Sequence, residues 1–221
     1  MLQSDFAGVA LVYIYVVILL LVTEKILDKY PEASRKILHI MVGNIAFLLP
    51  IFQTREVMAF LAAGPFIFFT FLMSPHTPLR SIRGKTSAAG HSMGLVYYAI
   101  AWTVLAYVFF DYKVIIAIGI LAMSYGDGFA SLIGVKFGKK TYQVWGDTKS
   151  FIGSAAMVIF TLGMSLIAYL YYGYTLTFPI LWVLISIAVI AAIIEGITPR
   201  GLDNLTVPFI VSFVYWFVLI K

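Results

Sequence analysis

Asp127 stands between Gly126 and Gly128 in the stretch "SYGDGFASLIGVKFGKK" (124–140), at the end of an apolar run, and Lys139 and Lys140 follow it. A carboxylate placed in hydrocarbon without a partner costs on the order of a few kcal/mol, so Asp127 needs a cation. A structural ion pair with a neighbouring Lys or Arg is one answer, and a bound metal ion is another. Gly126 and Gly128 lower helix stability and expose backbone N–H groups, which suits a ligand or ion approaching the main chain. Ala130, Gly134 and Gly138 recur at four-residue spacing and would let a second helix approach closely. Packing accounts for the small residues but not for Asp127.

A second group lies at "DTKSFIGS" (147–154), where Lys149 and Ser150 precede an apolar run and Gly153 and Ser154 fall in its first turn. A helix N-terminus with free N–H groups, a lysine and hydroxyls is an anion site, phosphate above all. The plainer reading is a helix cap beside a snorkelling lysine. Taken with Asp127, the group suggests a divalent metal bridging to a polyphosphate. Three further places carry polar groups at apolar borders. His39 sits about one turn inside a span, with Arg35 on its face at i,i+4 and Lys36 beside it. Glu195 closes an uncharged run. Asp203 and Asn204 either cap the last span or contact metal or nucleotide. "GKTS" (84–87) lacks the preceding strand and glycine spacing of a P-loop.

These residues must be held by membrane helices. Of 221 residues, 62% are hydrophobic and 11% charged, against roughly 25% charged in soluble domains. Runs long enough to cross a bilayer fall at 6–23, 37–54, 57–79, 86–110, 114–135, 204–220 and twice within 150–194, which "YYGYTLTFP" (171–179) breaks at Gly173 and Pro179. The expectation is an all-α integral membrane protein, a single domain of about eight transmembrane helices. The first is read as a retained helix, since it lacks a basic flank and a small-residue cleavage site.

With the N-terminus outside, twelve of the fifteen Lys and Arg fall on one side, leaving Arg55, Lys113 and Lys221 on the other. The positive-inside rule makes that richer side cytoplasmic, and the candidate site residues share it. Arg80, Arg83 and Lys85 form a basic lip there for lipid headgroups or a nucleotide. The net charge of +5 is read as attraction to a membrane surface, with no nucleic-acid partner expected. Tyr97, Tyr98, Trp102, Tyr171, Tyr172, Tyr215 and Trp216 read as interfacial belt and packing residues. The absence of cysteine excludes disulfides and thiolate metal sites. The stripe at 130–138 is open to packing within one chain or in a homo-oligomer.

"GDGFASLIGVKFGKK" followed by "KSFIGS" resembles the signature of the polyprenol kinase family, which includes dolichol, phytol and CTP-dependent diacylglycerol kinases. "EASRKILHIMVGN" (32–44) and "EGITPRGLDNLTVP" (195–208) resemble its first and last conserved segments, so the likeness runs over about 32–208. It is also similar, more distantly, to the phosphatidate cytidylyltransferases. Many family members have Glu where this chain has Ile152. The resemblance implies a lipid-alcohol kinase working at the cytoplasmic face, with CTP as donor and an isoprenoid alcohol preferred to diacylglycerol as acceptor. Asp127 with Asp203 or Glu195 would hold Mg²⁺. Lys149, Ser150, Gly153, Ser154, Asn204 and the glycines at 126, 128, 134 and 138 would hold the nucleotide phosphates, while Arg35, Lys36, Lys139 and Lys140 neutralise charge. His39 and Asp127 are the candidate bases. Two rivals fit less well: a cytidylyltransferase would need a Gly-, His-, Asp- and Arg-rich closing segment, absent after residue 195, and a transporter would spread polar groups about the midplane.

Overall fold

The computed structural model describes residues 2–27, 29–77, 93–199 and 201–219. Arg80, Arg83, Lys85 and Arg200 lie outside the described residues. The helices group into two compact units, Met1–Asp111 and Tyr112–Lys221. Five helical segments are long and apolar enough to cross a membrane, and three shorter apolar helices accompany them among the described residues. Among the described residues these helical stretches overlap the apolar runs of the sequence, five of them long enough to cross a membrane. With no water in hydrocarbon to satisfy the backbone, these described stretches close their own hydrogen bonds as helix.

The first unit contains α1 (Gln3–Leu21), α2 (Pro31–Val42, continuing as a 3₁₀ segment over Gly43–Ile51), α3 (Val57–Met73) and α4 (Gly94–Val108). Asp5 of α1 is fully buried. Its carboxylate accepts hydrogen bonds from the backbone N–H groups of Gln53 and Thr54, at 2.8 and 3.2 Å, and from Thr54 Oγ1 at 2.6 Å. These donors precede α3, where a helix start leaves N–H groups unsatisfied, so Asp5 acts as a cap supplied by another helix.

The second unit is built round α5 (Lys113–Phe137). Val114–Leu121 are buried on every side, as expected of a helix with no polar face. Around α5 pack α6 (Phe151–Tyr171) and α8 (Asp203–Leu219), with α7 (Phe178–Ile197) against α6 and α8. Close approach rests on small residues: a Cβ at Gly119 would come 2.8 Å from the Pro208 carbonyl oxygen, and Ser212 Oγ donates to the Ile115 carbonyl at 3.2 Å. Gly173, at φ +81°, lies in the break between α6 and α7, and Pro179 stands in the first turn of α7, where its missing N–H costs nothing.

Two features were not foreseen. The lysine-rich loop contains a β-hairpin, β1 (Thr141–Val144) paired antiparallel with β2 (Asp147–Ser150). Its two-residue turn is Trp145-Gly146, both at positive φ (51° and 85°), the handedness that matches strand twist. Along α5, residues Ala122–Asp127 form a π-helical turn, a device that inserts one residue into the helical register and is frequent at functional sites.

Replacing Asp5 by Ala removes a buried charged acceptor from three hydrogen-bond donors. The expected loss is about 1.5–3 kcal/mol, read as a lower unfolding midpoint in detergent, with Asp5→Asn intermediate.

Candidate active site

The site lies wholly in the second unit, where chain connections force acidic residues together. α7 ends at Ile197 and α8 begins at Asp203. Gly201, at φ +77°, makes the short link possible, because that backbone conformation is penalised for residues with a Cβ. The tight connection places Glu195, in the last turn of α7, near Asp203, in the first turn of α8. The π-turn of α5 ends at Asp127. One oxygen from each of Asp127, Glu195 and Asp203 lies within 4.8 Å of the others. Glu195 is buried, with Asp127 and Asp203 partly so. The three carboxylates chosen from sequence as metal candidates are therefore brought together.

Three carboxylates so close repel one another unless cations intervene. Lys149 supplies one, with its ammonium 2.7 Å from Glu195 Oε1. It also donates to the backbone carbonyls of Glu195 and, at 3.3 Å, of Thr198. Those carbonyls lie at the C-terminal end of α7, which carries the negative end of the dipole, and the Glu195 carbonyl also accepts from the Thr198 N–H at 3.3 Å. Lys149 is thus a C-cap delivered from the hairpin. An ammonium has three N–H donors, and these three acceptors use them all, so a phosphate contact requires one bond to be given up. Burial works to lower the Lys149 pKa, but the Glu195 charge and hydrogen bond, with the charges of Asp203 and Asp127, outweigh it and leave the pKa raised above 10.5. By linkage, the stability it contributes is fully present below 10.5 and lost as pH rises through the higher folded value.

The hairpin aims this lysine. Tyr142 is the cross-strand partner of Lys149, so the two side chains share a face. The Tyr142 hydroxyl is 2.8 Å from Ser154 Oγ and packs over Gly196, where a Cβ would be 3.0 Å from it. Ser150 is the N-cap of α6, its Oγ accepting from the Gly153 N–H at 3.2 Å. The cap reading of Ser150 therefore holds. Gly134, Gly138 and Gly153 form the seam between α5 and the start of α6. A Cβ at Gly138 would come 2.8 Å from Ser150 Oγ, and one at Gly153 would come 2.9 Å from the Ala130 carbonyl oxygen. Gly126 packs against Thr161 and Met157 of α6. The stripe at 130–138 serves contacts within the chain, while Gly128 is buried at the start of the α-helical continuation. Lys139 and Lys140 are exposed beside the hairpin.

Asn204 adds an oxygen. It is 5% exposed; its Nδ2 donates to the Gly201 carbonyl at 3.2 Å, while Oδ1 is buried with no partner among the described residues. An acceptor left so costs about 1–3 kcal/mol, which a cation ligated there would offset. Pro208, inside α8, has no N–H and so denies the Asn204 carbonyl its usual i+4 donor. The three carboxylates are hard oxygen donors of the kind that take Mg²⁺, and the acidic cluster fits that ion.

Arg35, Lys36 and His39 lie on α2 in the first unit. Arg35 and Lys36 are half-buried. The buried His39 ring stands 5.1 Å from the ring of Tyr98, centroid to centroid. Sequence reasoning missed the Lys149–Glu195 pair, because 46 residues separate its members and the hairpin that joins them has no strong strand signal.

The chain is 32% identical over 217 residues to a phytol kinase of Synechocystis, covering 95% of this chain and 89% of that protein. It is 31% identical over 192 residues to phytol kinase 1, chloroplastic, of Arabidopsis thaliana and 28% identical over 192 residues to a probable chloroplastic phytol kinase of Triticum aestivum. It spans 62% and 63% of those plant proteins' lengths and 79% of its own in both. No family model and no solved structure matches it.

Two outcomes are expected. Lys149→Met leaves Glu195 uncompensated and costs about 3–5 kcal/mol, partly recovered in the Lys149→Met, Glu195→Gln double variant, as a denaturation cycle in detergent will measure. Asp127→Asn and Asp203→Asn each weaken Mn²⁺ binding about tenfold or more, ~1.4 kcal/mol, read by paramagnetic resonance titration.

Proposed function

The chain belongs to the phytol kinase branch of the polyprenol kinase family, and from that premise we propose that it transfers the γ-phosphate of a nucleoside triphosphate, CTP in our reading, to an isoprenoid alcohol. The observation that carries the proposal is the convergence of Asp127, Glu195 and Asp203 within 4.8 Å, beside Lys149, in a membrane protein of that family. The basic loops would face the cytoplasm, from which the nucleotide arrives.

In the reaction the lipid hydroxyl oxygen bonds to the γ-phosphorus, the bond from that phosphorus to the β–γ bridging oxygen breaks, and the nucleoside diphosphate leaves with the electron pair. The hydroxyl proton passes to a base, for which Asp127 is the candidate within the second unit. Such transfers depend mainly on positioning and on neutralising charge. Mg²⁺, held by Asp127 and Asp203 with Glu195 and Asn204 adjoining, would supply charge neutralisation on the phosphates. Lys149 keeps Glu195 and the end of α7 in place. The exposed Lys139 and Lys140, with the N-terminal turn of α6 at Ser150–Ser154, offer the next positive potential for the polyphosphate. The side chain at Ile152 is exposed and apolar, so the acid that many relatives carry there has no substitute at that position, and the carboxylates of α5, α7 and α8 make up the acidic set.

The test uses purified protein in detergent with Mg²⁺ and γ-labelled CTP or ATP, offered phytol, geranylgeraniol, a polyprenol and diacylglycerol. Label is expected on an isoprenoid alcohol, from CTP in preference to ATP. Asp127→Asn should lower kcat by roughly 10²–10³-fold, the scale of losing a group that stabilises transferred charge. Folded protein that labels no lipid from either nucleotide would overturn the proposal.

A further inference from the structure

The hairpin between α5 and α6 carries a residue that the acidic cluster does not use. Trp145, first in its two-residue turn, takes φ 51°, a conformation penalised for residues with a Cβ and filled in such turns by Asn or Gly. The ring gains nothing inside the chain in return. It is 78% exposed and makes no ring contact or hydrogen bond among the described residues. A large aromatic side chain kept exposed where the backbone disfavours it points to a partner outside the chain.

The fold says where that partner is met. α5 and α6 are both long enough to cross a membrane, so the link between Phe137 and Phe151 stays at one membrane border. The hairpin does not stand upright from it. Its Tyr142 reaches Ser154 Oγ, 2.8 Å away in the first turn of α6, and its Lys149 reaches Glu195 in the last turn of α7, so the strands lean over the helix ends. A headgroup layer is about 5–8 Å thick, about half of the ~13 Å that four strand residues span. Only a leaning hairpin keeps its tip in that layer.

The surroundings are amphipathic. At the feet of the hairpin Val135, Phe137 and Phe151 are exposed, and the exposed Lys136 holds its ammonium 5.3 Å from the centroid of the Phe137 ring. Over residues 135–152 four lysines face one acid, Asp147, and of the four Lys149 is spent on Glu195. A nucleotide phosphate would have no use for the exposed apolar side chains. Together with the cations they suit the border where acyl chains meet anionic headgroups, where tryptophan also concentrates.

We infer that the α5–α6 hairpin is a docking surface for anionic phospholipid. Trp145 seats in the headgroup layer and Lys136 pairs with a lipid phosphate, which steadies the strand that carries Lys149. Lys139 and Lys140 are left to the polyphosphate. The inference does not rest on the kinase reading, because the lipid it names is neither donor nor acceptor.

The experiment places the full chain in nanodiscs and reads Trp145 as the difference in emission between the parent and Trp145→Asn. Asparagine is a residue such turns favour, so this variant keeps or raises the unfolding midpoint. The difference emission is expected to be blue-shifted and quenched by lipids brominated near the glycerol. Brominated phosphatidylglycerol should quench it more than brominated phosphatidylcholine at equal mole fraction. Lys136→Gln should reduce that preference roughly two- to fivefold, the scale of one lysine at an anionic surface. Amides of the hairpin should exchange more slowly in discs containing phosphatidylglycerol in the parent, and equally in both discs in Trp145→Asn. Emission typical of indole in water with no quenching by either lipid, or equal quenching by the two, would overturn the inference. So would quenching by added CTP, which would assign Trp145 to the nucleotide, or slowed exchange produced equally by tripolyphosphate in phosphatidylcholine discs, which would make this a site for free phosphate. Failure of phosphate transfer in these preparations would count against the kinase reading alone, since every readout here is independent of it.

Discussion

The site depends on compensating acidic charge at the border of an apolar protein. Asp127, Glu195 and Asp203 lie within 4.8 Å of one another, and the side chains of Lys149 and Glu195 are only 13% and 10% exposed. Water therefore screens the pair little, and the ammonium must be placed accurately if its attraction is to exceed its desolvation. Accuracy comes from four elements that meet at this point. The π-turn of α5 carries Asp127, the end of α7 carries Glu195, the glycine turn presents Asp203, and the hairpin carries the lysine.

That meeting requires backbones to approach more closely than ordinary side chains permit, which gives the glycines their place. The stripe through Ala130, Gly134 and Gly138 lies against Ser150 and Gly153, bringing the start of α6 onto α5. Gly196 does the same for the hairpin through Tyr142. In a bilayer, association of helices gains little from the hydrophobic effect and rests on such close packing. The small residues near Asp127 thus act on the chemistry indirectly, by fixing the distance from α5 to the elements that bear its partners.

Much of this was legible in the sequence. The helical membrane class was legible because uninterrupted hydrophobic runs of bilayer length fold as helices, five of which are long enough to cross among the described residues. Asp127, Glu195 and Asp203 could be picked out because carboxylates at the edge of apolar runs are costly. Ser150 read as a cap because a hydroxyl before an apolar run satisfies orphan N–H groups. The partner of Lys149 was not legible, since it depends on a tertiary approach by a four-residue strand with a Trp-Gly turn. The π-turn was equally hidden: Gly126 and Gly128 signal a weak helix, but not an added residue. Asp5 escaped notice as the edge of the first run, its role set by Gln53 and Thr54 nearly fifty positions away.

The three occupied donors of Lys149 bear on how a cation would share the cluster. Magnesium keeps several waters and takes one or two carboxylates besides phosphate oxygens, so it does not need all three acids. An ion held, as we propose, by Asp127 and Asp203 would leave Glu195 with its lysine and the end of α7 intact. An ion that took Glu195 as well would have to displace the ammonium from a buried pair, and the two like charges would then repel at short range in a poorly screened site. The division of labour favoured by electrostatics is therefore unequal. Asp127 and Asp203 are the metal ligands we propose, while Glu195 is engaged with Lys149.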